Sequence, residues 1–217
     1  MINDDKHMKL PQYILNSILG SWKFVQAKPS AMEYLDQSSD GFWKSFWAIA
    51  VMAPVFVLWA IFNTRNEVLN SATGIEISYP FLSEGIFFII ALPFTAFVMI
   101  YFTKFMKISE NYSSMVIAYN WVSAMIYVIM ALITMILLSG FISEQISAII
   151  LMMIRFYFGF YVLWFTLKSS LKIGGFLSFG VLIFVKLLDT SLLVILYQIF
   201  NPEYFEAIFA MANSQPS

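Results

Sequence analysis

The chain has 217 residues, of which 60% are hydrophobic, 18% aromatic and 12% charged, and its formal net charge is −1. So few charges cannot cover a water-soluble domain of this size, and a near-neutral balance offers nucleic acid no basic surface. The absence of Cys removes disulfides, thiolate metal sites and thiol nucleophiles, and the single His7 sits in a polar stretch without a second ligand.

The first 40 residues lack the apolar run of a cleavable signal peptide, so the first span is expected to act as its own signal-anchor. From Pro11 onward, Ile14, Ile18 and Trp22 recur at i, i+4 and i+8, flanked by Leu15, Leu19 and Val25, while Gln12, Asn16 and Lys23 fall on other faces. This spacing predicts an amphipathic helix of about four turns within a cytoplasmic N-terminal region, 1–42. Two placements stand: in the lipid headgroup layer, or against the protein's own cytoplasmic face. Lys28-Pro29 ends the helix, since a residue before proline avoids the helical region. Ser30 with Glu33 reads as a capping box for a short helix, and Asp40, in the turn Ser38–Gly41, as the N-cap of the first span.

Five apolar runs follow within 43–200: Trp43–Phe62, Glu84–Thr103, Met115–Ser139, Ile146–Leu167 and Gly175–Phe200. Each is long enough, at about 1.5 Å per residue, to cross about 30 Å of hydrocarbon. The fold class expected is therefore all-α: a polytopic integral membrane protein with five transmembrane helices. Lys6, Lys9, Lys23, Lys28, Lys44, Lys104, Lys107, Lys168 and Lys172 fall on one side of these runs, and only Arg65 on the other. That bias puts the N-terminus in the cytoplasm and the C-terminus outside, as in a bacterial inner membrane protein. Trp43, Trp47 and Trp164 then lie near the cytoplasmic interface and Trp59 near the outer one. In the long loop 63–83, the alternation Ile75–Tyr79 suits a short strand or a segment skimming the interface. Asn201-Pro202-Glu203 carries the start signals of an outer-face tail helix within 201–217, its apolar face built from Phe205, Ile208, Phe209 and Ala212.

Three ionisable residues fall inside apolar runs: Arg155 in the fourth, Lys186 and Asp189 in the fifth. A charge at the bilayer centre costs about 2.5–3.5 kcal/mol on insertion scales, so partners are expected. Arg155 and Asp189 lie at similar depth on consecutive antiparallel spans, and Lys186 is one turn from Asp189. The cluster reads as an interhelical ion pair, as a polar conduit or anion-attracting pocket lined also by Tyr157, Thr190 and Ser191, or as two cations snorkelling apart. Pro54 and Pro93 lie midway along the first two spans and predict helix kinks, from packing needs or from a transporter's binding site. Ser170, Gly174 and Ser178 step by four and permit close helix approach, and Asn120 and Trp121 are placed for packing or interhelical hydrogen bonds. No zinc, phosphate-loop or Ser–His signature occurs, so the chain is expected to be non-enzymatic, without cofactor or metal.

The segment Ala91-Leu92-Pro93 through Trp121, together with Trp164, Leu167-Lys168 and the turn Lys172-Ile173-Gly174-Gly175, resembles the Yip1 family of five-span membrane proteins in hydropathy order and loop shape. The resemblance covers about residues 43–200 and implies a non-enzymatic protein that organises lipid or partner proteins. Its implied partners are membrane lipids, other membrane proteins or a second copy of the chain. The short N-terminal region resembles bacterial members. The alternative expectation is a small transporter or channel subunit that uses Arg155, Lys186 and Asp189.

Overall fold

The computed structural model describes residues 9–65 and 78–213. Those residues are all-α. The chain runs α1 (Leu10–Val25), a 3-10 turn (Pro29–Tyr34), α2 (Ser39–Lys44), α3 (Trp47–Arg65) and α4 (Phe81–Phe105). A second 3-10 turn (Ser109–Asn111) leads into α5 (Tyr112–Leu137), followed by α6 (Glu144–Phe156), a π turn (Tyr157–Val162), α7 (Leu163–Leu171), α8 (Gly175–Phe200) and α9 (Pro202–Asn213). Five stretches are long and apolar enough to cross a membrane: Ser39–Thr64, Phe81–Phe105, Ser109–Leu137, Glu144–Leu171 and Gly175–Phe200, with mean hydropathy of 2.0 to 2.3. Ile75–Ile77, where a strand was one expectation, lie outside the described residues, as does His7.

The spans alternate in direction. At one end Asn111 Nδ2 donates to Leu171 O at 3.2 Å, and Phe42 packs on Tyr112. This end carries Lys104, Lys107, Lys168 and Lys172. At the other end Ser83 Oγ lies 3.0 Å from Leu196 O and 2.5 Å from Asn201 Oδ1, and Tyr197 donates to Glu84. The span α5 is the hub, packing against α3, α7 and α1, while α4 lies along α8. Large apolar side chains cover the outside: Phe97, Ile136, Met152 and Leu187 are 57%, 62%, 68% and 61% exposed. Water would not tolerate that surface; hydrocarbon does.

The N-terminal helix divides the stripe its hydropathy suggests. Tyr13, Ser17, Gly20, Ser21, Phe24 and Val25 are buried and Ile14 and Ile18 pack against the core, whereas Leu15, Leu19 and Trp22 are exposed. Small residues explain the choice, because they let backbones come close. A Cβ on Gly20 would meet Leu35 and Tyr34 at 3.0 Å. Tyr13 anchors this helix. Its hydroxyl donates to Gly41 O at 2.9 Å and accepts from Trp121 Nε1 at 3.0 Å, and burial holds the phenol above its usual pKa. Asn120 donates to Ser45 Oγ at 2.8 Å, so the Asn120–Trp121 pair does hydrogen-bond across helices.

Local starts differ in detail from expectation. Ser38, not Asp40, caps α2, its hydroxyl accepting from Gly41 N at 3.1 Å. Asp40 instead pairs with Lys44 one turn on. The short helix expected after Lys28 forms as a 3-10 helix, Pro29–Tyr34, but without the capping box, since no side-chain hydrogen bond caps it. The tail helix begins at Pro202 as its start signals predict.

Gly41 is required for steric reasons: a Cβ there would lie 2.0 Å from Asp36 O. Tyr13→Phe is expected to leave the Trp121 indole N–H unpaired, while Gly41 O keeps its bond from Ser45 N, costing about 1–3 kcal/mol. Thermal unfolding in detergent should show a lower midpoint for Tyr13→Phe and a still lower one for Gly41→Ala. An unchanged midpoint for Tyr13→Phe would remove the anchoring role.

Candidate functional site

Four helices turn one face each toward a common interior. On α3 the face is Met52, Phe56 and Trp59; on α4 it is Glu84, Phe88, Leu92 and Thr95. On α5 it is Tyr119, Ser123, Tyr127 and Met130, and on α8 it is Lys186 and Asp189. The spacings of three and four keep each set on one side of its helix. Between them lies a cavity of about 330 Å³ that Lys186, Asp189, Tyr119, Ser123, Tyr127 and Glu84 all line. It runs along the bundle axis for about 12 Å, eight helical rises on α4 from Glu84 to Leu92.

Asp189 is held by two neutral donors. Thr95 Oγ1 donates to Oδ1 at 3.1 Å and Tyr119 OH to Oδ2 at 3.2 Å. One carboxylate thereby ties α8 to α4 and α5. Lys186 lines the same cavity one turn away and, among the described residues, has no hydrogen-bond or ion-pair partner. Glu84, at the other end, accepts from Tyr197. Tyr127 OH is buried without a partner among the described residues.

Arg155 is not part of this cluster, which corrects the expected Arg155–Asp189 pair. It is exposed on the outside of α6, in a shallow depression formed with Ala148, Leu151, Met152, Phe156 and Phe160. The fourth span is not one regular helix. Its π turn, Tyr157–Val162, bonds at wider spacing and changes the angular phase between the halves it joins. Only α7, beyond that turn, packs along α8, while α6 leans on α5. Tyr157, expected beside the charges, is half-exposed and donates to Val25 O at 2.6 Å. Thr190 and Ser191 are exposed on α8.

Pro54 and Pro93 lie inside uninterrupted helices, each on an exposed face. In sequence, the residues four positions before them are Ala50 and Ile89, whose carbonyls each proline leaves without a helical donor. The small-residue step at Ser170, Gly174 and Ser178 works partly as expected: Ser178 is buried and donates to Trp164 O at 2.8 Å. Trp164 Nε1 in turn donates to Gly175 O at 2.8 Å, closing the turn between α7 and α8. Among the described residues no group of three or more His, Asp or Glu side chains could hold a metal ion.

Thr95, Tyr119, Ser123 and Tyr127 were not singled out from sequence. The signal for three of them was present: Tyr119, Ser123 and Tyr127 step by four along one face of a mostly apolar span. Thr95 had none, being one hydroxyl among several in the spans. Comparison with protein-family models, with curated proteins and with solved structures finds no match.

The geometry separates Arg155 from Asp189 by experiment. Arg155→Leu should leave thermal stability in detergent nearly unchanged. Asp189→Leu should lower stability by about 1–3 kcal/mol, because it leaves the hydroxyls of Thr95 and Tyr119 without an acceptor. Equal losses for the two variants would contradict this arrangement.

Proposed function

We propose that this chain is an integral membrane protein that works by binding a small ligand in its interior cavity, as a small transporter does, in preference to the Yip1-like, non-enzymatic organiser of lipid or partner proteins. The observation that carries the reading is the cavity itself: Lys186 and Asp189 face about 330 Å³ of open space instead of closely packed side chains. A scaffold has no use for such a space, and burying these polar side chains beside a void is unfavourable unless something polar enters. Concave sites lined mostly by apolar residues with a few convergent polar groups are typical of ligand binding.

The lysine distribution supports an N-terminus in the cytoplasm of a bacterial cell and a C-terminus outside. In that frame α1 sits against the cytoplasmic half of the bundle, its exposed Leu15, Leu19 and Trp22 set into lipid and Lys23 near the headgroups. That exposed stripe is the specific feature favouring the second reading, a protein that organises lipid or a membrane partner through α1.

Because the chain has no Cys, each introduced thiol is unique. Ser123→Cys, in membranes, should react with a small methanethiosulfonate at least about tenfold faster than Val181→Cys, a ratio matching about 1.4 kcal/mol of opening cost at the buried site. Equal rates would favour the lipid-organising reading. For topology, Ser139→Cys should be modified by an impermeant maleimide in cells whose inner membrane is exposed, and Lys107→Cys only after that membrane is broken. The reverse pattern would invert the orientation.

A further inference from the structure

The interior cavity has a neighbour on the outside of the bundle. Between α2–α3 and α4 runs an open groove of about 750 Å³, with Trp47, Ala50 and Val57 on one wall and Leu82, Ile86 and Ile89 on the other. Its lining is almost wholly apolar. Phe56 and Phe88 line both the groove and the cavity, and their rings stack on each other at 4.4 Å. The partition between the two spaces is therefore built from these two aromatic side chains.

On the cavity side, the acceptors are already engaged more fully than the donors. Both oxygens of Asp189 take hydroxyl donors and Glu84 takes one from Tyr197. What remains to be offered is the amine of Lys186 and the buried hydroxyl of Tyr127, neither of which has a partner among the described residues. These call for an acceptor that carries negative charge. The space is that of about ten waters, enough for a carboxylate or phosphate group. On the groove side, Trp43 to Val57 is fourteen helical rises, about 21 Å. That is shorter than a hydrocarbon core about 30 Å thick, a length for an acyl chain reaching in from one face; a partner's spanning helix would need the full depth.

We propose that the site takes an amphiphile with an acidic headgroup, its carboxylate or phosphate lodged in the cavity on Lys186 and Tyr127 and its acyl chain lying in the groove between α3 and α4. The headgroup enters sideways from the lipid, past the Phe56–Phe88 pair. This rests on the reading that the cavity binds a ligand, and it names the ligand class and the route.

The test uses the full chain in detergent micelles, photolysed with a diazirine-bearing palmitic acid or with its methyl ester, and the modified residues are mapped. The acid should modify the groove walls, residues 43–57 and 81–89, at least about tenfold more than the ester, the scale of one charge-assisted hydrogen bond. Lys186→Met should bring the acid down to the ester's level. Phe88→Trp, which thickens the partition and leaves Lys186 in place, should also lower modification by the acid. Equal modification by acid and ester in the unaltered chain overturns the proposal and requires no variant. Groove residues that cross-link to a second copy of the chain in place of the acid overturn it too. If the acid shows no preference but inorganic phosphate protects the thiol of Ser123→Cys, the amphiphile is wrong and the binding cavity stands. If neither effect is seen, both fall.

Discussion

A carboxylate set among hydrocarbon has to find its donors inside the protein, and Asp189 finds them on two other helices. Thr95 on α4 and Tyr119 on α5 each give one hydroxyl to one oxygen. The arrangement leaves the Lys186 amine one turn away and not tied down, facing a space it does not fill. The candidate site follows from this: had an arginine been bonded directly to Asp189, the donors of that arginine would have been consumed and the interior closed around the pair.

The same logic, with lipid as solvent, explains the packing of α1 and of the spans. In water a helix buries its most apolar stripe. With Leu15, Leu19 and Trp22 left on the outside, the inward face of α1 is set by closeness of approach and by hydrogen bonding as well as by apolarity. Ser17, Gly20 and Ser21 supply the first, and the Tyr13 hydroxyl, between Gly41 and Trp121, supplies the second. Polar contacts recur wherever the spans are tied to one another: Ser83 to Leu196 and Asn201, Asn120 to Ser45, Trp164 to Gly175. Each joins residues distant along the chain or across a turn, so these few bonds set helix order while dispersion fills the remainder.

How far the sequence carried the fold depends on which physical signal was asked for. Run length against bilayer thickness located five spans, and Asn201-Pro202-Glu203 marked the start of α9, because both signals are local. The angular placement of side chains is not local. Equal depth for Arg155 and Asp189 was a reasonable inference from two regular helices, but nothing in Tyr157-Phe158-Gly159-Phe160 announced a π turn, and that turn sets the two halves of the span on different courses. For α1 the apolar stripe left two placements open, and the helix divides it: Ile14, Ile18 and Val25 pack inward while Leu15, Leu19 and Trp22 stay exposed, a split that apolarity alone does not decide. The step of four linking Tyr119, Ser123 and Tyr127 could be read from sequence alone; its meaning depends on Lys186 and Asp189 facing it across the cavity.

The claim on which the account rests is that Asp189 is bound by the hydroxyls of α4 and α5 and not by the guanidinium of α6. Double-mutant cycles measured by reversible unfolding in detergent test it most directly. Pairing Tyr119→Phe with Asp189→Leu should give a coupling energy within about 0.5–3 kcal/mol, while pairing Arg155→Leu with Asp189→Leu should be additive to about 0.5 kcal/mol. Strong coupling to Arg155 with none to Tyr119 would contradict the account.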